Sequence, residues 1–193
     1  MPLEPRTPTE RKKRMKGIVF VCFIEMVEEK FGLETTDRII ELSELSTNGA
    51  YTSVGTYDHT ELIQLVSHLS KLKDVPVTDL VKSFGKHMFN VLASTYPAFI
   101  ENVDGVFSLL SNVENVIHVE VRKLYPDAEL PRFRHRFMGE DRMELIYSSP
   151  RPFSDFAHGL IEGCIEYFSE TASIESVENL PEDASSVRFV LVK

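Results

Sequence analysis

The period of the hydrophobic positions changes along the chain and divides it into two halves. Lys16 to Phe31 reads KGIVFVCFIEMVEEKF, apolar throughout at first, then with Phe23, Val27 and Phe31 on one stripe. This predicts a mostly buried helix stopped by Gly32. Thr36 to Leu45 predicts a second helix capped by Thr35 or Thr36. Ser46 to Asp58, STNGAYTSVGTYD, is rich in turn formers and predicts a loop. Leu62, Leu65, Val66 and Leu69 place a helix over His59 to Leu72, and the spacing of Val77, Leu80, Phe84, Met88 and Leu92 places another over Val77 to Leu92. The longest periodic segment runs from Asp104 to Leu124 through Phe107, Leu110, Val113, Ile117 and Val121, and Pro126 ends it. Two alternating runs follow, Arg132 to Phe137 and Met143 to Ser149, with MGED as the turn. Helical spacing returns from Asp155 to Phe168, and two short strands close the chain near Ser173 to Val177 and Val187 to Val192. The order predicts an α+β fold. A helical half covers residues about 15–100. A second half, about 101–193, combines the long helix, a further helix and a small antiparallel sheet of about four strands.

Composition narrows the class. The chain has 193 residues, 42% of them hydrophobic, which suits one domain or two closely packed subdomains. A net charge of -9 argues against nucleic acid as the main partner. No segment approaches the ~20 apolar residues that span a membrane. The N-terminal MPLEPRTPTERKKR is Pro-rich and basic and has no apolar stretch behind its charges. It is read as a disordered extension or an upstream start over residues 1–14, with the ordered domain beginning at Met15. Cys22 and Cys164 each lie in apolar context and predict buried thiols in a reducing, cytoplasmic setting. Monomer is the default, and no zinc-type Cys/His spacing is present.

Two features carry chemistry. In YSSPRP, Tyr147, Ser149 and Arg151 are spaced by two, and Pro150 biases Ser149 toward extended backbone. One reading is a row of donors ending in a fixed charge, suited to a carboxylate or phosphate. The other is an edge strand with outward polar residues. Among six histidines, His59 and His68 sit among polar residues and read as surface, His135 points outward from an alternating run, and His87 and His158 sit at helix edges. His118 differs. It lies in the longest helix beside the apolar stripe, where it is either a satisfied boundary histidine or a ligand. There is no Gly-rich phosphate loop, Ser nucleophile elbow or HExxH pair.

The start MKGIVF, the segment VIHVEVRKLYPDAELPRF, the row YSSPR and the helix GLIEG, in this order and spacing, resemble the haem nitric oxide/oxygen-binding (H-NOX) family. This is the family of the haem domain of soluble guanylate cyclase and of stand-alone bacterial gas sensors. The resemblance runs from Met15 to the C-terminus and implies roles. His118 would be the proximal iron ligand of haem b, and Tyr147, Ser149 and Arg151 the clamp on its propionates. Pro131 would press on the porphyrin. Val19, Phe23, Met88, Phe156 and Leu160 would line the distal side. Phe156 falls where O2-binding members carry a tyrosine donor, and Phe23 and Met88 fall where its supports stand. The resemblance therefore implies a sensor of NO and CO that excludes O2, without zinc.

Signalling would pass through release of the His118 helix to a separate partner, a sensor histidine kinase or a cyclic-di-GMP synthase or phosphodiesterase. No enzyme, nucleic-acid or membrane role is implied. A haem enzyme of peroxidase or NO dioxygenase type would want a polar distal acid/base group. A haem-free interaction module would have no use for an intact His118 and a complete YxSxR row.

Overall fold

A computed structural model describes residues 14–151 and 153–193. It shows the expected α+β class, with seven α-helices and a four-stranded antiparallel sheet among the described residues. The expected N-terminal extension lies outside them, except that Arg14 already belongs to a strand. The chain forms two compact units that divide between Val77 and Thr78.

The first unit holds β1 (Arg14–Lys16), α1 (Gly17–Phe31), α2 (Leu33–Leu42), β2 (Thr56–Asp58) and α3 (His59–Lys73). β1 and β2 pair antiparallel, so the predicted loop contains a short strand. Phe20, Phe23, Met26, Ile39, Leu65 and Leu69 are all but fully buried. Gly32, at φ +85, ends α1, and α2 begins at the next residue. Neither threonine is therefore a cap. Both lie inside α2, and the Thr35 hydroxyl donates back to the Phe31 carbonyl at 2.8 Å.

The loop is fastened by one carboxylate. Buried Glu61 on α3 accepts from the hydroxyls of Ser46 (2.6 Å), Thr47 (2.6 Å) and Tyr51 (2.7 Å). Burial raises its pKa, but these hydrogen bonds outweigh it and leave the carboxyl below its ordinary value. The stability it contributes is complete above the unfolded pKa and is lost as pH falls through the lower folded one. Glu61→Gln is expected to cost about 1–2 kcal/mol at neutral pH. It should also flatten the acid side of the stability curve. Urea midpoints from neutral pH to about pH 3 check this, and parallel curves for the two proteins would refute it.

The second unit holds α4 (Val77–Thr95, from Thr78 on), α5 (Val106–Ser111), α6 (His118–Leu124), β3 (Arg132–Phe137), β4 (Arg142–Ser148), α7 (Ser154–Phe168), β5 (Ser173–Leu180) and β6 (Asp183–Val192). The strand order is β3-β4-β6-β5, all antiparallel. Met143, Leu145, Phe189 and Leu191 of the sheet join Val106 and Leu109 of α5 and Ile161 and Cys164 of α7 in one core. The last two strands are longer than predicted, because their outer ends are polar and follow no burial pattern.

The predicted long helix is the main departure. Gly105, at φ +134, delays its start to Val106, whose N–H donates to the Glu170 carboxylate at 3.1 Å. At Asn112 the backbone leaves helical geometry, and Val113–Ile117 forms a π-helical turn before α6 begins at His118. A π turn inserts a residue and rotates everything beyond it by about 100°. The apolar stripe is thereby lost, and Val116, Val119 and Leu124 face solvent.

Helices α4 and α7 meet backbone to backbone. A Cβ on Gly85 would lie 2.2 Å from the Phe156 carbonyl oxygen, and one on Gly159 would lie 2.0 Å from that of Lys82. The two cysteines are buried as expected. Burial first, then Glu25, pushes the Cys22 thiol up to about 11, and burial with Glu170 pushes Cys164 up to about 12, so both are held as unreactive thiols.

Candidate functional site

His118 opens α6 and is the one residue of that helix that is buried. Its Nδ1 lies 3.0 Å from Glu114 Oε1, in the π turn. The same carboxylate oxygen accepts the Phe133 N–H of β3 at 2.8 Å. Against a carboxylate acceptor, Nδ1 carries the ring proton and Nε2 keeps its lone pair. Nε2 makes no hydrogen bond among the described residues. Burial lowers the imidazole's pKa, Glu114 raises it and Arg122 lowers it, and the balance lies below the ordinary value. The ring therefore favours its neutral form.

Tyr147 is the penultimate residue of β4, which lies between β3 and β6. Ser149 and Arg151 follow just beyond the strand's end. Their backbone is held by Ser149 N–H donating to the Ser185 carbonyl (3.0 Å) and Arg151 N–H donating to Ser149 Oγ (3.1 Å). All three side chains are buried, at 5%, 6% and 7% exposure. The edge-strand reading, with polar groups facing water, therefore fails: the strand is interior and its row points inward. Burial raises the Tyr147 pKa, with Ser149 and Arg151 opposing it. Burial lowers that of Arg151, with Glu129 and Tyr147 opposing. The guanidinium also donates to the Glu129 carbonyl. A buried cation flanked by two hydroxyls suits an anion with planar oxygens.

Phe133 joins the two features. Its ring lies 5.8 Å from that of His118 and meets Tyr147, its register partner, edge-on at 5.4 Å. Pro131, half-buried, immediately precedes β3. Met88 is buried on α4, while Phe156 and Leu160 are half-buried on α7, with Phe156 5.0 Å from the Phe84 ring. Val19 and Phe23 lie on α1 in the first unit. His59 and His68 are half-buried, against expectation, while His135 is exposed as expected.

A family profile described as haem-NO-binding matches residues 16–176. The chain belongs to the haem-NO-binding, or H-NOX, family. H-NOX domains are haem-binding gas sensors rather than enzymes. The fold is similar to that of the Fe(II) unliganded H-NOX protein from K. algicida, with 42% identity, coverage of 93% of this chain and 96% of that one, and a TM-score of 0.85. An H-NOX from Shewanella woodyi in the Fe(II)CO state, bound to IWP-051, is 44% identical, with 93% and 94% covered and a TM-score of 0.78. One from S. oneidensis in the Fe(II)NO state is 30% identical, with 92% and 98% covered and a TM-score of 0.84. Curated proteins gave no match.

The donor set of this H-NOX chain fits haem: one buried neutral imidazole with an unengaged Nε2, and a separate buried cation with hydroxyls for carboxylates. Sequence reasoning missed Glu114, although a carboxylate four residues before a helical histidine is a readable signal. It also missed that Gly159 of the GLIEG segment is needed for contact with α4.

Proposed function

We propose that this chain is a sensor of NO and CO, with one haem-binding domain over residues 15–193. The observation that supports this reading is one of sequence: Val19, Phe23, Met88, Phe156 and Leu160, the positions that the resemblance assigns to the distal side, are all apolar and carry no side-chain hydrogen-bond donor. O2 bound to iron gains negative charge and profits from such a donor, whereas NO and CO do not. The related proteins caught in Fe(II)NO and Fe(II)CO states support the same ligands here.

In this reading His118 ligates through Nε2, Tyr147, Ser149 and Arg151 receive the propionates, and Pro131 presses on the ring. Haem b, when bound, would supply the ferrous iron that takes the gas. No zinc is involved. Release of His118 on gas binding would free α6, which has no other buried residue. A separate partner, a sensor histidine kinase or a cyclic-di-GMP synthase or phosphodiesterase, then binds one state better than the other. The site of action is the cytoplasm. None of the helices among the described residues is long and apolar enough to cross a membrane.

Absorption spectra of the reduced protein test the reading under argon, with NO and in air. The expected result is a five-coordinate ferrous spectrum that shifts with NO and gives no oxy complex in air. A stable oxy complex would overturn the selectivity, and loss of all haem after reconstitution would overturn the function.

A further inference from the structure

We propose that Glu114 is the positioning residue of this site, setting the strength of the His118 ligand bond and tying that histidine to the strand that faces the propionate clamp. The inference rests on the reading of His118 as the haem ligand. It is built on one oxygen atom. Glu114 Oε1 accepts both His118 Nδ1–H, at 3.0 Å, and the Phe133 main-chain N–H, at 2.8 Å. Phe133 pairs with Tyr147 across β3 and β4, and their rings meet at 5.4 Å. A single carboxylate thus fastens the proximal imidazole to the register position of the first clamp residue.

Three consequences follow from the chemistry. A carboxylate on Nδ1–H fixes the tautomer and the ring's orientation, so that Nε2 would be the ligand atom. It also draws the Nδ1 proton toward itself, which makes Nε2 a more basic and firmer ligand. A firmer proximal bond is harder for NO to break, so Glu114 sets how readily His118 lets go. The π turn explains how the residue reaches both partners. The extra residue in Val113–Ile117 changes the direction in which Glu114 points relative to a regular helix, and π turns are frequent where a functional side chain must be re-aimed. The second bond, to Phe133, means that movement of His118 pulls on β3 as well as on α6.

The test uses the full chain, loaded with haem and free of it, as wild type, Glu114→Gln and Glu114→Ala. Gln keeps an acceptor but removes the charge, whereas Ala removes both. Haem loss to an excess of acceptor apoprotein is expected to quicken by about 10-fold in Gln and up to about 100-fold in Ala, the range for the outer partner of a ligating histidine. The iron–imidazole stretch of the ferrous protein should move to lower frequency in the same order. Exchange of the Phe133 amide, read in the haem-free protein, should quicken in Ala and stay slow in Gln. A merely structural glutamate would change the amide and leave the stretch alone.

Wild-type values for haem loss and stretch in Gln would overturn the proposal, and this holds even where Ala fails to fold. Absence of any iron–imidazole band in wild type would instead overturn His118 as ligand. The two failures are therefore told apart.

Discussion

Replacing His118 with Ala is expected to remove stable haem loading. The proposed clamp residues remain in such a variant, but they would hold only the carboxylate arms. Loss of an outer hydrogen-bond partner already costs about 10–100-fold in affinity, so loss of the ligand itself should exceed about 100-fold. The substitution also empties the volume of a ring that is 7% exposed. Added imidazole should enter that space and restore haem binding in part, which separates a lost ligand from a lost fold. Haem-to-protein absorbance after reconstitution, with and without imidazole, is the measurement. Unchanged loading and an unchanged ferrous spectrum would sink the assignment.

Gly159→Ala should destabilise the second unit more than its chemistry implies. By helix propensity alone the change is favourable by about 1 kcal/mol. Against that, the new methyl would sit 2.0 Å from the Lys82 carbonyl oxygen and 3.0 Å from the Gly85 Cα. Both obstacles are backbone, so neither can turn aside, and the helices must part. Overpacking of this kind costs about 1–3 kcal/mol and sometimes more; with backbone on both sides the upper end applies, and about 3 kcal/mol less the propensity gain of about 1 leaves a net loss of about 2 kcal/mol. That corresponds to a fall of roughly 4–8 °C in Tm for a chain of this size. Gly85→Ala should behave alike, because its methyl meets the Phe156 carbonyl. Gly163→Ala should be milder, since its nearest neighbour is the Phe89 Cβ at 2.7 Å. Equal or raised Tm for Gly159→Ala, at matched haem content, would show that the two helices separate at no cost.

The parts of this molecule that repeat were legible in the chain. Helical spacing located α1, α3, α4 and α7, and alternation located β3 and β4 to within a residue. Hydrophobic period could do this because one face of each element is buried. Hidden features were those in which backbone geometry overrides side-chain pattern. The apolar run through Val113, Ile117 and Val121 reads as one helix, yet Asn112 and the π turn shift its phase. Thr35 and Thr36 read as caps, yet Gly32 lets α2 start before them. At the site, spacing alone left Tyr147, Ser149 and Arg151 either outward or inward, because burial of the row depends on β4 being interior. Glu114 was half legible: its place four residues before His118 can be read from the chain, but its second partner, Phe133, is nineteen positions away and cannot.

The anchoring of α6 has a consequence for the sharpness of a response. Seven residues are fewer than the ~12–15 at which an isolated helix becomes even marginal in water. A helix fixed by several core side chains would need all of them withdrawn together, and its threshold would be the sum of many small terms. With His118 as its one buried residue and the haem ligand of the proposed function, the threshold of α6 would collapse onto a single bond. A device built this way can be retuned by changing that bond alone, leaving the hydrophobic core untouched.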